Sequence, residues 1–356
     1  MLRYLLILLV FVPISLVLQR LHVTATWVFV ASGLAIIPLA ALMSQATEEL
    51  AKHLGATIGG LLNATFGNAT ELIITVLAVR AGEMDVVRAS IIGSIIGNIL
   101  LVLGLAIFVG GIRYKAQKFN EDAASTQSVM LVLAIVTILL PSLFVHALPD
   151  AAEAAATHRV AGFSLWVAGL LMTLYVSNLI FSLVTHREIF LEPHTGQDED
   201  PPVWPKRIAF LVLAGATIMV ALESNLLVGS IEPTVHAWGL SKLFVGVIIV
   251  PIIGNAAEHA TAVVMALKDR MDVTLNICVS SSTQVALFVA PLIVFLSVPL
   301  GHPLLFVFND FEIIAVGFAA WIAAMISRDG DCNWFEGAQL LIVYAILALA
   351  FYFVPV

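Results

Sequence analysis

Charge is what this chain has least of. Aspartate, glutamate, lysine and arginine make up 11% of its 356 residues, against 61% hydrophobic residues and a mean hydropathy of +1.05. A soluble domain carries about 25% charged residues, so the shortage excludes a water-soluble fold, and nothing here suits a nucleic acid. The formal net charge of −8 says little about partners, because the basic residues are segregated by loop. Cysteine is nearly absent as well. Cys278 lies in an apolar run and Cys332 in a short loop, which excludes a disulfide framework and a thiolate metal cluster. The zinc-protease pattern H-E-x-x-H and the hydrolase pattern G-x-S-x-G are missing; neither an enzyme nor a bound cofactor is expected.

What the chain has instead is a series of apolar runs about 20 residues long, right for membrane-crossing helices and too uniform for alternating barrel strands. Eleven spans are expected at 4–20, 24–47, 56–80, 86–111, 125–148, 161–185, 207–230, 242–267, 273–298, 304–327 and 334–354. The first could pass for a signal peptide with Val23-Thr24-Ala25 as its cleavage site, but it reads as a retained helix turning at Arg20-Leu21-His22. Of 16 lysines and arginines, 11 fall on the side of the N-terminus; Arg20, Arg80, Arg88, Arg159 and Lys242 fall opposite. The positive-inside rule then places the N-terminus in the cytoplasm and the C-terminus across the membrane.

Two stretches interrupt the apolar pattern in the same way. GNATE, Gly67 to Glu71, returns as GNAAE, Gly254 to Glu258, 187 residues later. The same offset maps Met84-Asp85-Val86 onto Met271-Asp272-Val273, and Ser94 onto Ser281. The fold class expected is therefore an all-α polytopic membrane protein built from an internal repeat: an N-terminal helix (1–22), a five-helix repeat (23–190), a cytoplasmic acidic linker (191–206) and a second five-helix repeat (207–356). Five is odd, so the second copy runs inverted, the architecture of many secondary transporters. The linker carries Asp198-Glu199-Asp200 and reads either as solvated chain or as a cation-attracting, regulatory loop.

A carboxylate at the bilayer centre costs about 2.5–3.5 kcal/mol on insertion scales, and two in matching contexts suggest one site made of two halves. Asn68 with Glu71, and Asn255 with Glu258, stand three apart and share a helix face. Gly67, Gly254 and Pro251 weaken the helices just ahead of them. Carboxylates, amide oxygens and freed carbonyls form a hard-oxygen set suited to Ca²⁺; the competing reading is two neutral glutamates serving as packing glue. Ser94, Asn98, Ser281 and Gln284 on the following helices are candidate ligands or ligand-orienting groups, against a reading of close packing through small residues. His259 is a candidate proton relay, its ordinary pKa being near 6.5, or a hydrogen-bonding residue of the bundle. Glu48, Glu49 and Glu223 lie nearer helix ends, where interface solvation competes with a cation entry path. Asp310 and Glu312 read as acidic complements of a helix N-terminus.

At these residues the chain resembles a known family. GLLNATFGNATELI (Gly60 to Ile73) and PIIGNAAEHATAV (Pro251 to Val263) are similar to the two signature repeats of the Ca²⁺/H⁺ antiporters, within the cation/Ca²⁺ exchanger superfamily. YVSNLIFSLVTHREIF (Tyr175 to Phe190) and NWFEGAQLLIVYAILALAFYF (Asn333 to Phe353) resemble the family's sixth and last helices. The resemblance implies eleven helices as one plus five plus five, Ca²⁺ movement driven by a proton gradient, and Glu71 and Glu258 as the essential carboxylates. Family members often carry an acidic helix between the halves; here only Asp198 to Asp200 corresponds.

The function expected is secondary active exchange of Ca²⁺ for H⁺ by alternating access, both cations competing for Glu71 and Glu258. The partners are the transported ions and the lipid bilayer, and assembly into a homo-oligomer is compatible with the chain. A Na⁺/Ca²⁺ exchanger of the same superfamily is the nearest rival, and a cation channel lined by the same carboxylates is another.

Overall fold

The computed structural model describes residues 5–146, 158–185 and 201–354. The acidic run 198–200 lies outside them. Among the described residues the one β pairing is a short antiparallel one, β1 (Ala116–Lys118) with β2 (Asp331–Asn333), in which Gln117 stands opposite Cys332, and most of the remainder is helix. The helices are α1 (Leu6–Arg20), α2 (Ala25–Lys52), α3 (Ala56–Phe66), α4 (Ala69–Arg80), α5 (Met84–Tyr114), α6 (Glu121–His146), α7 (His158–Ile180), α8 (Lys206–Gly229), α9 (Ile231–Trp238), α10 (Lys242–Gly254), α11 (Ala256–Leu267), α12 (Met271–Ser297), α13 (Asp310–Ile326) and α14 (Trp334–Phe353). Among the described residues seven helices are long and apolar enough to cross a membrane, or nine when bent pairs count as single spans. This is a multi-pass integral membrane protein.

The breaks fall where the sequence expects them. α3 and α4 meet at Gly67-Asn68 with a bend of 42°, and α10 stops at Gly254, one residue short of α11. The offset of 187 reappears in the element bounds, carrying Ala69–Arg80 onto Ala256–Leu267 and Met84 onto Met271. Wide π-helical turns interrupt α5 at Gly97–Val102, α10 at Val245–Ile249 and α12 at Val285–Val289. Proline explains the last two. Pro251 and Pro291 each lack an N–H, and each ring crowds the carbonyl four residues back, at Val247 and Leu287 inside the π turns.

The chain divides into two compact units. The first comprises Met1–Leu77, Leu174–Trp238 and Ile253–Ala257. Its centre is the pair α2 and α8, packed through Leu39, Met43, Ala46 and Leu50 against Ala209, Leu213, Ala216 and Val220. The pair is antiparallel. Trp204, ahead of α8, accepts from His53 and donates to Glu49 at the end of α2, while Gly33 near the start of α2 meets Leu227 near the end of α8.

The second unit comprises Ala78–Thr173, Gly239–Ile252 and Glu258–Val356. Backbone approaches shape it. An added Cβ on Gly337 would fall 2.3 Å from the Phe108 nitrogen, and one on Gly111 2.3 Å from the Trp334 nitrogen, so α5 and α14 touch main chain to main chain. The tenth span differs from its expected bounds. Residues 304–308 are extended and helix begins only at Asp310, because Pro303 cannot join a helical ladder and the extended backbone finds other partners. Leu304 N–H donates to Ser297 Oγ, Phe306 to Ser164 and Phe308 to Ser142. α13 then opens on a capping box, with Asn309 accepting from Glu312 N–H and Glu312 accepting from Asn309 N–H, so the structural reading of Glu312 holds.

Candidate functional site

In the first unit the break between α3 and α4 buries Asn68 and Glu71, at 1% and 3% exposure. Glu71 sits in the first turn of α4, where the helix dipole favours negative charge. Its carbonyl accepts from Thr75 Oγ1 at 2.6 Å. The second break lies against it: a Cβ at Gly254 would be 3.8 Å from Glu71 Cα, and Asn255, next in the chain, is buried. The first unit thus gathers Asn68, Glu71 and Asn255.

In the second unit Glu258 occupies the first turn of α11 and accepts from Ser281 Oγ at 2.7 Å. Ser281 in turn accepts from Asn98 Nδ2 at 3.1 Å, and Asn98 Oδ1 lies 3.2 Å from His259 Nε2. An amide oxygen only accepts, so His259 Nε2 carries the hydrogen in this arrangement. Glu258 and His259 point to different helix faces, as adjacent residues must, yet a relay of Ser281 and Asn98 joins them. Every donor in the relay points toward Glu258, which suits an acceptor-only carboxylate at its end. Ser94, one turn before Asn98, is buried, and Gln284 donates to Ser280 at 3.4 Å.

The three outlying glutamates separate. Glu48 is exposed and meets Lys52 at 3.2 Å. Glu49 and Glu223 are buried, so interface solvation does not describe them. Glu49 accepts from Lys52 and from Trp204 N–H. Glu223, inside α8, accepts from or donates to Ser15 of α1 at 2.8 Å. Among the described residues no three His, Cys, Asp or Glu side chains converge as a metal cage, so a divalent ion would draw on amide, hydroxyl and main-chain oxygens too.

Sequence reasoning passed over the groups that hold α11 in place. Gln117 Nε2 on β1 donates to Ala266 O and to Asp269 Oδ1, and Tyr114 donates to Leu267 O. These donors satisfy the last carbonyls of the helix bearing Glu258. The only local signal was a glutamine and a tyrosine in a short polar turn, which names no partner 149 residues away.

Apolar spanning helices that break beside carboxylates held in the interior define a polytopic membrane protein. Comparison with known proteins narrows the class. The family model described as "Sodium/calcium exchanger protein" matches residues 24–184 and 208–353. A Ca²⁺/H⁺ antiporter of Synechocystis sp. is 45% identical, over 98% of this chain and 97% of its own. The Ca²⁺/H⁺ antiporter ChaA of Bacillus subtilis is 42% identical, over 96% of both. The solved structure of native YfkE, at 39% identity, superposes with a TM-score of 0.84 over 98% of this chain and 99% of that one. The chain belongs to the Ca²⁺/H⁺ antiporters of the sodium/calcium exchanger protein family.

Proposed function

We propose that this protein exchanges Ca²⁺ for H⁺ across the membrane by alternating access, with Glu71 and Glu258 as the groups for which the two cations compete. The observation that carries the reading is that both motif glutamates, Glu71 buried and Glu258 half-buried, stand in the first turn after a helix break, in a chain 45% identical to a Ca²⁺/H⁺ antiporter. An ionised carboxylate away from water is costly unless a counter-charge accompanies it. Ca²⁺ supplies that charge in one state. When it leaves, the bare carboxylates lack solvation and a counter-charge, and a proton on each restores neutrality. Two protons then balance one Ca²⁺, and the neutral site returns.

Asn68 and Asn255 supply amide oxygens beside Glu71. Ser94, Asn98, Ser281 and Gln284 orient Glu258 or complete the cation's shell. His259 serves as a proton relay near Glu258, held there by Asn98 and Ser281, and the exposed Glu48, with Glu49 beside it, marks a cation entry path. The architecture behind this is one helix (1–22), a repeat (23–190), a cytoplasmic linker (191–206) and an inverted repeat (207–356), eleven spans with the N-terminus inside. The antiparallel run of α2 and α8, corresponding helices of the two halves, supports the inversion, as does the shared offset of the element bounds.

The test is Ca²⁺-dependent proton flux in proteoliposomes. Glu71→Gln and Glu258→Gln are each expected to abolish it; substantial exchange in either variant rejects the assignment. The family description also covers sodium exchange. Ca²⁺ uptake driven by an imposed pH gradient, and indifferent to a Na⁺ gradient, is the outcome expected here.

A further inference from the structure

Glu223 belongs to neither motif, yet among the described residues it is the most completely enclosed carboxylate of the first unit, with no exposed surface. It lies six residues from the end of α8, about 9 Å inside the span. One side chain from α1, the helix outside the repeat, answers it: Ser15 Oγ, itself fully buried, lies 2.8 Å from Glu223 Oε1. The same Ser15 Oγ lies 2.8 Å from Val12 O. A serine hydroxyl has one hydrogen and two lone pairs. With an ionised Glu223, both neighbours are acceptors and a single hydrogen must serve two contacts of equal length. With a protonated Glu223, the acid donates to Ser15 Oγ, Ser15 donates to Val12 O, and both are full hydrogen bonds.

The surroundings argue the same way. Among the described residues no donor lies within hydrogen-bonding reach of Glu223 Oε2. A neutral acid tolerates one such oxygen at modest cost, whereas an ionised one without a counter-charge costs far more. Nor do the described residues bring a counter-charge to it. α1, α2 and α9 pack against α8, and α4, whose Ala69 and Ile73 border the α2–α8 core, brings Glu71, a further carboxylate and no counter-charge. On α2 the charged groups are Glu48, Glu49 and Lys52, and contact of Gly33 with Leu227 places Glu223 about three turns, roughly 16 Å, from them. α1 offers Arg20, past Ser15 by more than a turn; α9 offers Glu232 and His236; α8 itself carries Lys206 and Arg207 at its opposite end. None of these forms an ion pair with Glu223 among the described residues.

We infer that Glu223 is a proton-binding site, a protonated carboxylic acid within the membrane that donates to Ser15, separate from the motif carboxylates and not a Ca²⁺ ligand. The inference stands independently of the exchange reaction, and infrared spectroscopy of the full chain in lipid vesicles tests it without measuring transport. At neutral pH the wild type is expected to show a protonated-carboxyl C=O band that Glu223→Gln removes. Ser15→Ala, which keeps the acid and deletes its acceptor, is expected to move that band to higher frequency and so reads the same proton if Glu223→Gln fails to fold. An infrared difference between wild type and Glu223→Gln confined to ionised-carboxylate bands overturns the proposal. So does a band unmoved by Ser15→Ala, or one that disappears in step with Ca²⁺ binding.

Discussion

Gly93→Ala puts the backbone approach between α5 and α10 to a quantitative test. A Cβ at Gly93 would lie 2.1 Å from Val247 O and 2.6 Å from both Val247 C and Cα. An ordinary contact begins near 3.4 Å, so the two backbones would have to part by about 1.3 Å. The obstacle is main chain, and Val247 O is the carbonyl that Pro251 leaves without its helical donor, so no side-chain rotation relieves it. Overpacking of this kind costs about 1–3 kcal/mol, and with three backbone atoms in the way the upper end applies. Replacing glycine by alanine in a helix returns about 1 kcal/mol, leaving a net loss of about 2 kcal/mol. Gly97, one turn later in α5, is the internal control: a Cβ there meets nothing within 4 Å, so Gly97→Ala should be neutral or stabilising by up to about 1 kcal/mol. The thermal unfolding midpoint of the purified protein should therefore fall in Gly93→Ala and hold or rise in Gly97→Ala. Val247 also belongs to the helix that leads into Asn255 and Glu258. A misplacement of about 1 Å at a working group costs up to a hundredfold, so Ca²⁺ uptake by Gly93→Ala should fall by about tenfold or more. Equal midpoints for the two variants, or full uptake by Gly93→Ala, would refute the approach as described.

Two further predictions concern side chains on α12 and β2. Ser281→Ala deletes the donor to Glu258 and the acceptor for Asn98; a hydrogen bond to a charged group is worth about 1.5–3 kcal/mol, so the apparent Ca²⁺ affinity should drop by about tenfold or more. Ser282→Ala, whose hydroxyl only returns to Cys278 O at 2.8 Å, should change it less than about twofold, and equal effects would remove Ser281 from the relay. Cys278 and Cys332 are each 1% exposed. Burial, reinforced by the Glu336, Asp331 and Asp269 carboxylates, pushes the Cys332 thiol up to about 12. At pH 8 its thiolate is then on the order of one part in ten thousand, and only the thiolate reacts. Maleimide should label neither cysteine until the protein is unfolded; rapid labelling of the native protein would contradict the burial.

Much of this was legible in the residue order, for reasons that are local. A scarcity of charge dictates a bilayer environment, since apolar side chains have nowhere else to go. Glycine and proline weaken helices whatever surrounds them, so the breaks at Gly67-Asn68 and Gly254-Asn255 and the repeat offset of 187 could be read directly. The family motifs named the carboxylates. The start of α13 could not be read so well, because hydrophobicity does not distinguish an extended buried segment from a helical one. Residues 304–308 stay extended only because hydroxyls on α6, α7 and α12 accept their N–H groups.

What the tertiary structure alone decided is which distant polar groups meet. Covalent adjacency sets Glu258 and His259 on different faces of α11, and only the packing of α5 and α12 against it supplies the Asn98–Ser281 relay that reconnects them. Glu223 looked like a helix-end acid until α1 enclosed it with a single serine from 208 positions away. Local propensity and hydropathy act over a few residues and are written in the sequence. The cost of an unpaired polar group inside a membrane depends on whatever partner the fold brings within 3 Å, and that is a property of three dimensions.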